Sequence, residues 1–243
     1  DCAVISEPRA GLSRARNAGL KYSRGDTIIF TDDDCYLDDE YINRANEIFE
    51  NKPFSYCGGR ILLYDKTDAN YTIMEQEHFE LIPPNSFLPP GKFQGANLII
   101  KREIYKKIGG FDQQLGAGTP FRCEDIDYVA RASNAGFVGS HVPELIVYHH
   151  HGRKIGPEIE ELKRDNAHAR GAYYMKFIRL KHFSYLWGWL RRSILRRRSV
   201  RRTMPLFFQE LRGAFAYLKS SAKFLESDKV NSLNIIKDRQ NRT

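Results

Sequence analysis

No apolar stretch in the sequence approaches the roughly 20 residues that a bilayer-spanning helix needs. The longest candidate, around 183–190, is short and flanked by arginines. The chain does not open with the basic start and apolar middle of a signal peptide. Cysteine is sparse: Cys2, Cys35, Cys57 and Cys123 are scattered without CxxC spacing. That argues against a zinc site or a dense disulfide framework and suits the reducing cytoplasm. Internal repeats and low-complexity tracts are missing too. Acid is absent altogether between 166 and 209, where 11 Lys and Arg residues stand. Since the net charge is only +8, the rest of the chain is mildly acidic, and the two parts need separate explanations.

What is present fits a soluble globular protein. The chain has 243 residues, 42% hydrophobic and 28% charged, enough for one substantial core or a domain with an appendage. Residues 12–22 have helix-forming composition, and Thr27 to Thr31 is a β-branched apolar run that reads as a buried strand. Asp38, Asp39 and Glu40 place acid at a helix start, and Tyr41, Ile42, Ala45, Ile48 and Phe49 share one helical face. Strands are expected at 56–64, 97–101 and 142–148, helices at 103–108 and 124–134, and a long Pro-rich surface excursion at 68–93. Alternating helix and strand predicts an α/β domain on a mainly parallel sheet. After Gly156-Pro157 the pattern turns to basic, aromatic-rich helices, so the boundary is placed between 1–156 and 157–243.

Three constellations could carry chemistry. Asp32-Asp33-Asp34 closes the apolar run at 27–31, and ligands of open α/β sheets bind beyond the carboxyl ends of strands. Carboxylates there suit Mg²⁺ or Mn²⁺, which can bridge ligand phosphates. A solvated turn with a helix cap and a calcium loop are the other readings, although the glycine and terminal Glu of an EF-hand are lacking. Glu124-Asp125-x-Asp127 opens a helix, where acid is common for dipole reasons alone. His149 follows an apolar strand and could ligate a metal or cap the sheet, with His150 and His151 as solvent-facing neighbours.

Four segments in order resemble family 2 glycosyltransferases of the GT-A fold: GLSRARNAGL (11–20), IIFTDDDC (28–35), GANLIIKREIYKKIGGFDQQLGAG (95–118) and EDIDYVARASNAG (124–136), followed by PELIVYH (143–149). The resemblance covers roughly residues 4–152. It implies a Rossmann-like sheet flanked by helices, with Asp32, Asp33 and Asp34 in place of the DxD motif. It makes Asp34 the direct ligand of Mn²⁺ or Mg²⁺, with Asp32 beside it and His149 reaching the same metal. Asp125 would be the general base, supported by Glu124. Arg16 and Asn17 would lie beside the nucleotide, and Gly95, Ala96 and Asn97 would border donor and acceptor. Cys123 departs from the glycine usual before the Glu-Asp pair. Neither the Gln-x-x-Arg-Trp motif nor the membrane spans of processive synthases occur, so transfer of one sugar with inversion is expected. The family's opening strand and nucleoside-holding segments are missing, and the chain reads as starting at the third strand.

The implied donor is a nucleotide-diphosphate sugar, and the acceptor a saccharide or lipid-linked hydroxyl, in cell-surface polysaccharide or glycoconjugate assembly. Aromatic residues alternating with arginines between 173 and 208 resemble helices that lie on anionic membranes. A helix pair packed on the catalytic domain with a solvated charged face is the plainer reading. A cytoplasmic protein, peripheral at the inner face of the membrane, is expected, and no nucleic-acid partner. A non-catalytic GT-A-like module binding membrane or partner proteins is the alternative.

Overall fold

The computed structural model describes residues 2–195 and 204–221. Two compact units divide the chain, 1–163 and 164–243.

In the first unit, helix α1 (Leu12–Tyr22) leads to strand β1 (Thr27–Phe30), a three-residue strand β2 (Cys35–Leu37) and helix α2 (Tyr41–Asn51). Strands β3 (Tyr56–Leu63), β4 (Glu80–Ile82) and β5 (Leu98–Lys101) follow, β5 entered through a 3-10 turn at Gly95–Asn97. Helices α3 (Arg102–Ile108) and α4 (Glu124–Asn134) precede the long strand β6 (Gly139–His149). The sheet runs β1-β5-β3-β6-β2, with β4 on β6.

The α/β class is as expected, but the balance of strand directions differs. Among the described residues β3 and β6 form the parallel pair, while β1–β5, β3–β5, β2–β6 and β4–β6 are antiparallel. The reason is topological: β5 inserts between β1 and β3 and meets both in the opposite direction. Apolar runs alone do not reveal strand direction, because strands buried on both faces look alike either way.

The buried positions of α2 (Tyr41, Ala45, Phe49) close one face of the sheet with Phe54, Cys57, Ile99, Val142, Leu145 and Val147. Each fully buried Phe, Ile, Val or Leu of this set contributes roughly 1.5–3 kcal/mol. Between Gly58 and Arg60 the β3–β6 register shifts. Asn97 fills that irregularity: its Nδ2 donates to Arg60 O (2.8 Å) and Leu145 O (2.9 Å), and its Oδ1 accepts from Tyr41 OH (2.6 Å). A Cβ at residue 59 would collide with Leu145 O, so only glycine fits there.

The 68–93 excursion does not lie wholly on the surface. Asp68, Ala69, Ile82, Leu88 and Phe93 are buried, β4 joins the sheet, and Met74 bridges Ile61 of β3. Its prolines interrupt any periodic pattern, so the partners that bury it are visible only in three dimensions.

The second unit contains most of helix α5 (Pro157–Arg179), helix α6 (Ser184–Leu190), a π-helical turn (Arg191–Leu195) and a helix at 204–221. Phe177 stacks on Tyr185 at 4.4 Å and Tyr174 on Trp189 at 5.4 Å. Buried Glu210 accepts from Trp189 Nε1 (2.9 Å), Ser193 Oγ (2.6 Å) and Arg170 Nε (3.0 Å). No helix among the described residues is long and apolar enough to cross a membrane.

Candidate active site

Helix α4 starts at Glu124, so both carboxyls of the Glu124-Asp125 pair stand in its first turn, where the helix dipole favours negative charge. Arg16 of α1 reaches across to them. Its Nη1 lies 2.8 Å from Glu124 Oε1, and its Nη2 3.0 Å from Asp32 Oδ1 in the turn after β1. The guanidinium presses against Gly95, where a Cβ would overlap it. Gly95 N–H in turn donates to Asp125 Oδ2 at 3.0 Å, and Asp125 Oδ1 accepts from Ile126 N–H at 2.6 Å. Burial pushes both carboxyls above the usual range. Neighbouring Asp125 adds to the effect on Glu124, and Arg16 opposes it at both. The result is a buried carboxyl pair, both members held above their ordinary range, with one arginine as its counter-ion.

On the other side of the same turn stands a second group. Strand β2 pairs with the end of β6 so that Cys35 faces His149, and His150 N–H donates to Asp34 O at 2.8 Å. This brings His149 Nε2 to 3.3 Å from Asp34 Oδ2. Asp34, Cys35 and His149 each offer a donor atom, all within 4.8 Å of one another. Burial first, then Asp32 and Asp34, push the Cys35 thiol up to about 12; it is a neutral thiol donating to Asp34 Oδ1 at 3.6 Å. A carboxylate suits Mn²⁺ or Mg²⁺, and an imidazole beside it favours a transition-metal ion, so the pair fits Mn²⁺ better than Mg²⁺. Two atoms sharing an octahedral ion at about 2.1 Å stand about 3 Å apart, close to the Asp34–His149 separation.

The structure therefore brings Arg16, Asp32, Gly95, Glu124 and Asp125 into one connected set, and Asp34 and His149 into another; Asp32 and Asp34 join the sets through their turn. Asp33 is exposed between them, and Ala96 is buried behind Gly95. Asn17 and Asn97 have other commitments. Asn17 holds the Phe111 backbone, accepting its N–H (2.7 Å) and donating to its carbonyl (2.8 Å), while Asn97 fills the sheet irregularity. Of the two histidines expected in solvent, His150 is exposed. The His151 side chain is fully buried, with Nε2 3.1 Å from Ala69 O, because the excursion folds over it.

Sequence reasoning missed Cys35 and Thr72. Cys35 stood beside the acidic triplet, but β2 is too short to announce itself by alternation. Thr72 Oγ1 lies 3.4 Å from His149 Nδ1 across 77 positions, and no local signal marks it.

Comparison with known proteins adds independent findings. Residues 1–110 match the profile described as Glycosyl transferase family 2. A glucosyl-dolichyl phosphate glucuronosyltransferase of Haloferax volcanii is 21% identical over 117 residues, 46% of this chain and 37% of that protein. An uncharacterized glycosyltransferase of Haemophilus influenzae is 28% identical over 134 residues, 53% of this chain and 42% of that protein. The chain thus spans less than half the length of these relatives. A solved mannosyltransferase from Pyrobaculum calidifontis, in complex with GDP-Man and Mn²⁺, superposes with TM-score 0.51 over 93% of this chain and 61% of its own. At 14% identity that likeness is one of fold.

Proposed function

We propose that this chain is a family 2 glycosyltransferase of the GT-A fold, a reading supported by the profile match over residues 1–110, the curated relatives and the fold likeness, and that it moves one sugar from a nucleotide-diphosphate donor to an acceptor hydroxyl with inversion. The observation that carries the reading is the placement of two unlike groups on either side of one turn: the Glu124–Asp125 pair, tied to Asp32 through Arg16, and Asp34 beside His149.

Asp125 is the base. Its Oδ2 is held by the Gly95 amide, and its carboxylate takes the acceptor's proton, a contribution of roughly 10²–10⁴-fold. The acceptor oxygen bonds the anomeric carbon as the bond to the diphosphate oxygen breaks, and the electron pair leaves with the diphosphate. Glu124 and Arg16 orient this base and, through Asp32, tie it to the donor side. Asp34 and His149 would hold Mn²⁺ or Mg²⁺, with Asp32 nearby in the turn. Such an ion, when bound, supplies Lewis-acid stabilisation of the leaving diphosphate. The Pyrobaculum mannosyltransferase's GDP-Man and Mn²⁺ make a GDP-sugar the first donor to try.

Calorimetric titration of the full-length gene product with GDP and UDP, with and without Mn²⁺, tests the reading. Metal-dependent binding that disappears in Asp34→Ala supports it. No binding of any nucleoside diphosphate or of CMP by the folded protein would turn the reading to a non-catalytic GT-A-like module.

The second unit supports peripheral contact with an anionic membrane surface, and hence a lipid-linked or cell-surface glycoconjugate acceptor. On α6 and the residues flanking it, Tyr185 and Trp189 pack inward while Phe183 and Trp187 are 66% and 62% exposed, with Leu180 and Leu190 also open and Arg191 and Arg192 at the surface. That is the make-up of an interfacial helix. The further arginines Arg196, Arg197, Arg198, Arg201 and Arg202, on which the sequence reading also leaned, lie outside the described residues. Flotation with phosphatidylglycerol vesicles at low salt, lost in Trp187→Ser, supports the contact; a wild-type protein that stays at the bottom of the gradient rules it out.

A further inference from the structure

Thr72 is a β-branched residue held at φ 58, a left-handed conformation that such side chains avoid. It stays there because both flanks are pinned. Ala69 N–H donates to Arg153 O at 2.8 Å and Tyr71 N–H to Ala69 O at 2.7 Å, while Met74 and Ile61 exchange two backbone hydrogen bonds of 2.9 Å. Ile61 lies on β3, the strand whose Leu63 pairs with His149. One anchor of the backbone at residue 72 is therefore on the strand beside His149, and the other, Arg153, follows His149 closely in the chain. Strain of this kind persists where the surroundings over-determine it.

The outcome is a directed hydrogen-bond chain. The Thr72 hydroxyl donates to Tyr71 O at 2.5 Å, so its oxygen turns lone pairs toward His149 Nδ1 at 3.4 Å. A nitrogen facing an acceptor carries the hydrogen. In the neutral ring the lone pair then resides on Nε2, the atom 3.3 Å from Asp34 Oδ2. A lone pair aimed at a carboxylate oxygen is unfavourable unless a cation lies between them.

We propose that Thr72 is a positioning residue that fixes His149 as the Nδ1–H tautomer and so presents the Nε2 lone pair to a divalent cation shared with Asp34. The proposal rests on the metal reading above and deepens it. Outer partners of ligating histidines of this sort typically change metal affinity by roughly 10–100-fold when removed.

The test combines histidine side-chain ¹⁵N–¹H correlation spectra of the metal-free full-length protein at pH 8 with Mn²⁺ titration followed by electron paramagnetic resonance. His149 is assigned by its missing resonance in His149→Gln. Wild type and Thr72→Ser are expected to show the Nδ1–H tautomer. Thr72→Val, which keeps the branched shape but has no hydroxyl, is expected to show a tautomer mixture and about 10–100-fold weaker Mn²⁺ binding. A wild-type ring in the Nε2–H form, or a Val variant with unchanged tautomer and Mn²⁺ affinity, overturns the proposal while leaving the metal site standing. Failure of wild type to bind Mn²⁺ at all overturns the metal reading and, with it, the purpose assigned to Thr72, so the two failures are told apart.

Discussion

The two sides of the Asp32–Asp34 turn solve the same electrostatic problem differently. On the Asp32 side the carboxylates have their own cation: Arg16 touches Asp32 and Glu124 at once and is itself buried. On the Asp34 side, the ion-pair partner among the described residues is a histidine, charged only when protonated. Buried or half-buried carboxylates need compensation, and a protein that supplies a fixed arginine on one side and only conditional charge on the other leaves room for an exchangeable cation there. The lesson is one of division of labour: under the function proposed above, the permanently compensated side would hold the base steady and the uncompensated side would receive a metal-bound diphosphate.

That contrast can be broken first at the base. Asp125→Asn should lower turnover about 10²–10⁴-fold with donor binding preserved, as read by single-turnover kinetics beside calorimetry; equal loss of binding would place Asp125 on the donor side instead. Next, Asp34→Ala should weaken Mn²⁺ binding roughly 100-fold or more, beyond the usual effect of an outer partner, while leaving the melting temperature nearly unchanged. Arg16→Met attacks the compensated side. It should cost about 3–5 kcal/mol of stability at pH 8, because it strands buried Glu124, and much less at pH 5, where that carboxyl takes up a proton. Denaturant melts at the two pH values measure this directly.

The smallest effect sharpens the contrast through pH. Burial raises the folded pKa of Glu124 above its unfolded value. The stability tied to the protonated form is therefore complete below pH 4.5 and is lost as pH rises toward about 7. Glu124→Gln cannot ionise, so its melting temperature relative to wild type should climb across that window, by roughly 2–4 °C per kcal/mol. A difference that stays flat with pH would mean that Glu124 is ionised throughout.

Much of this was legible in the residues. Helix α4 begins and ends where the sequence places it, and the apolar runs at 27–31, 56–64 and 142–148 contain strands β1, β3 and much of β6. These elements carry their own local pattern. Strands β2 and β4, three residues each, carry none. Asn17 and Asn97 illustrate a different limit: each lies in a motif-bearing segment, yet its amide is committed to backbone groups between 37 and 94 positions away.

The residue types of the site, the α/β class and the acidic turn at the end of a strand follow from the residues alone, because periodicity, β-branching and clustered carboxylates are local properties. Which carboxylate meets Arg16, the direction of β5 against its neighbours, the burial of the His151 side chain and the approach of Thr72 to His149 emerge with the folded chain. Those outcomes depend on contacts between distant segments, and the distance between two side chains across a sheet is set by strand order and register, which no local pattern encodes.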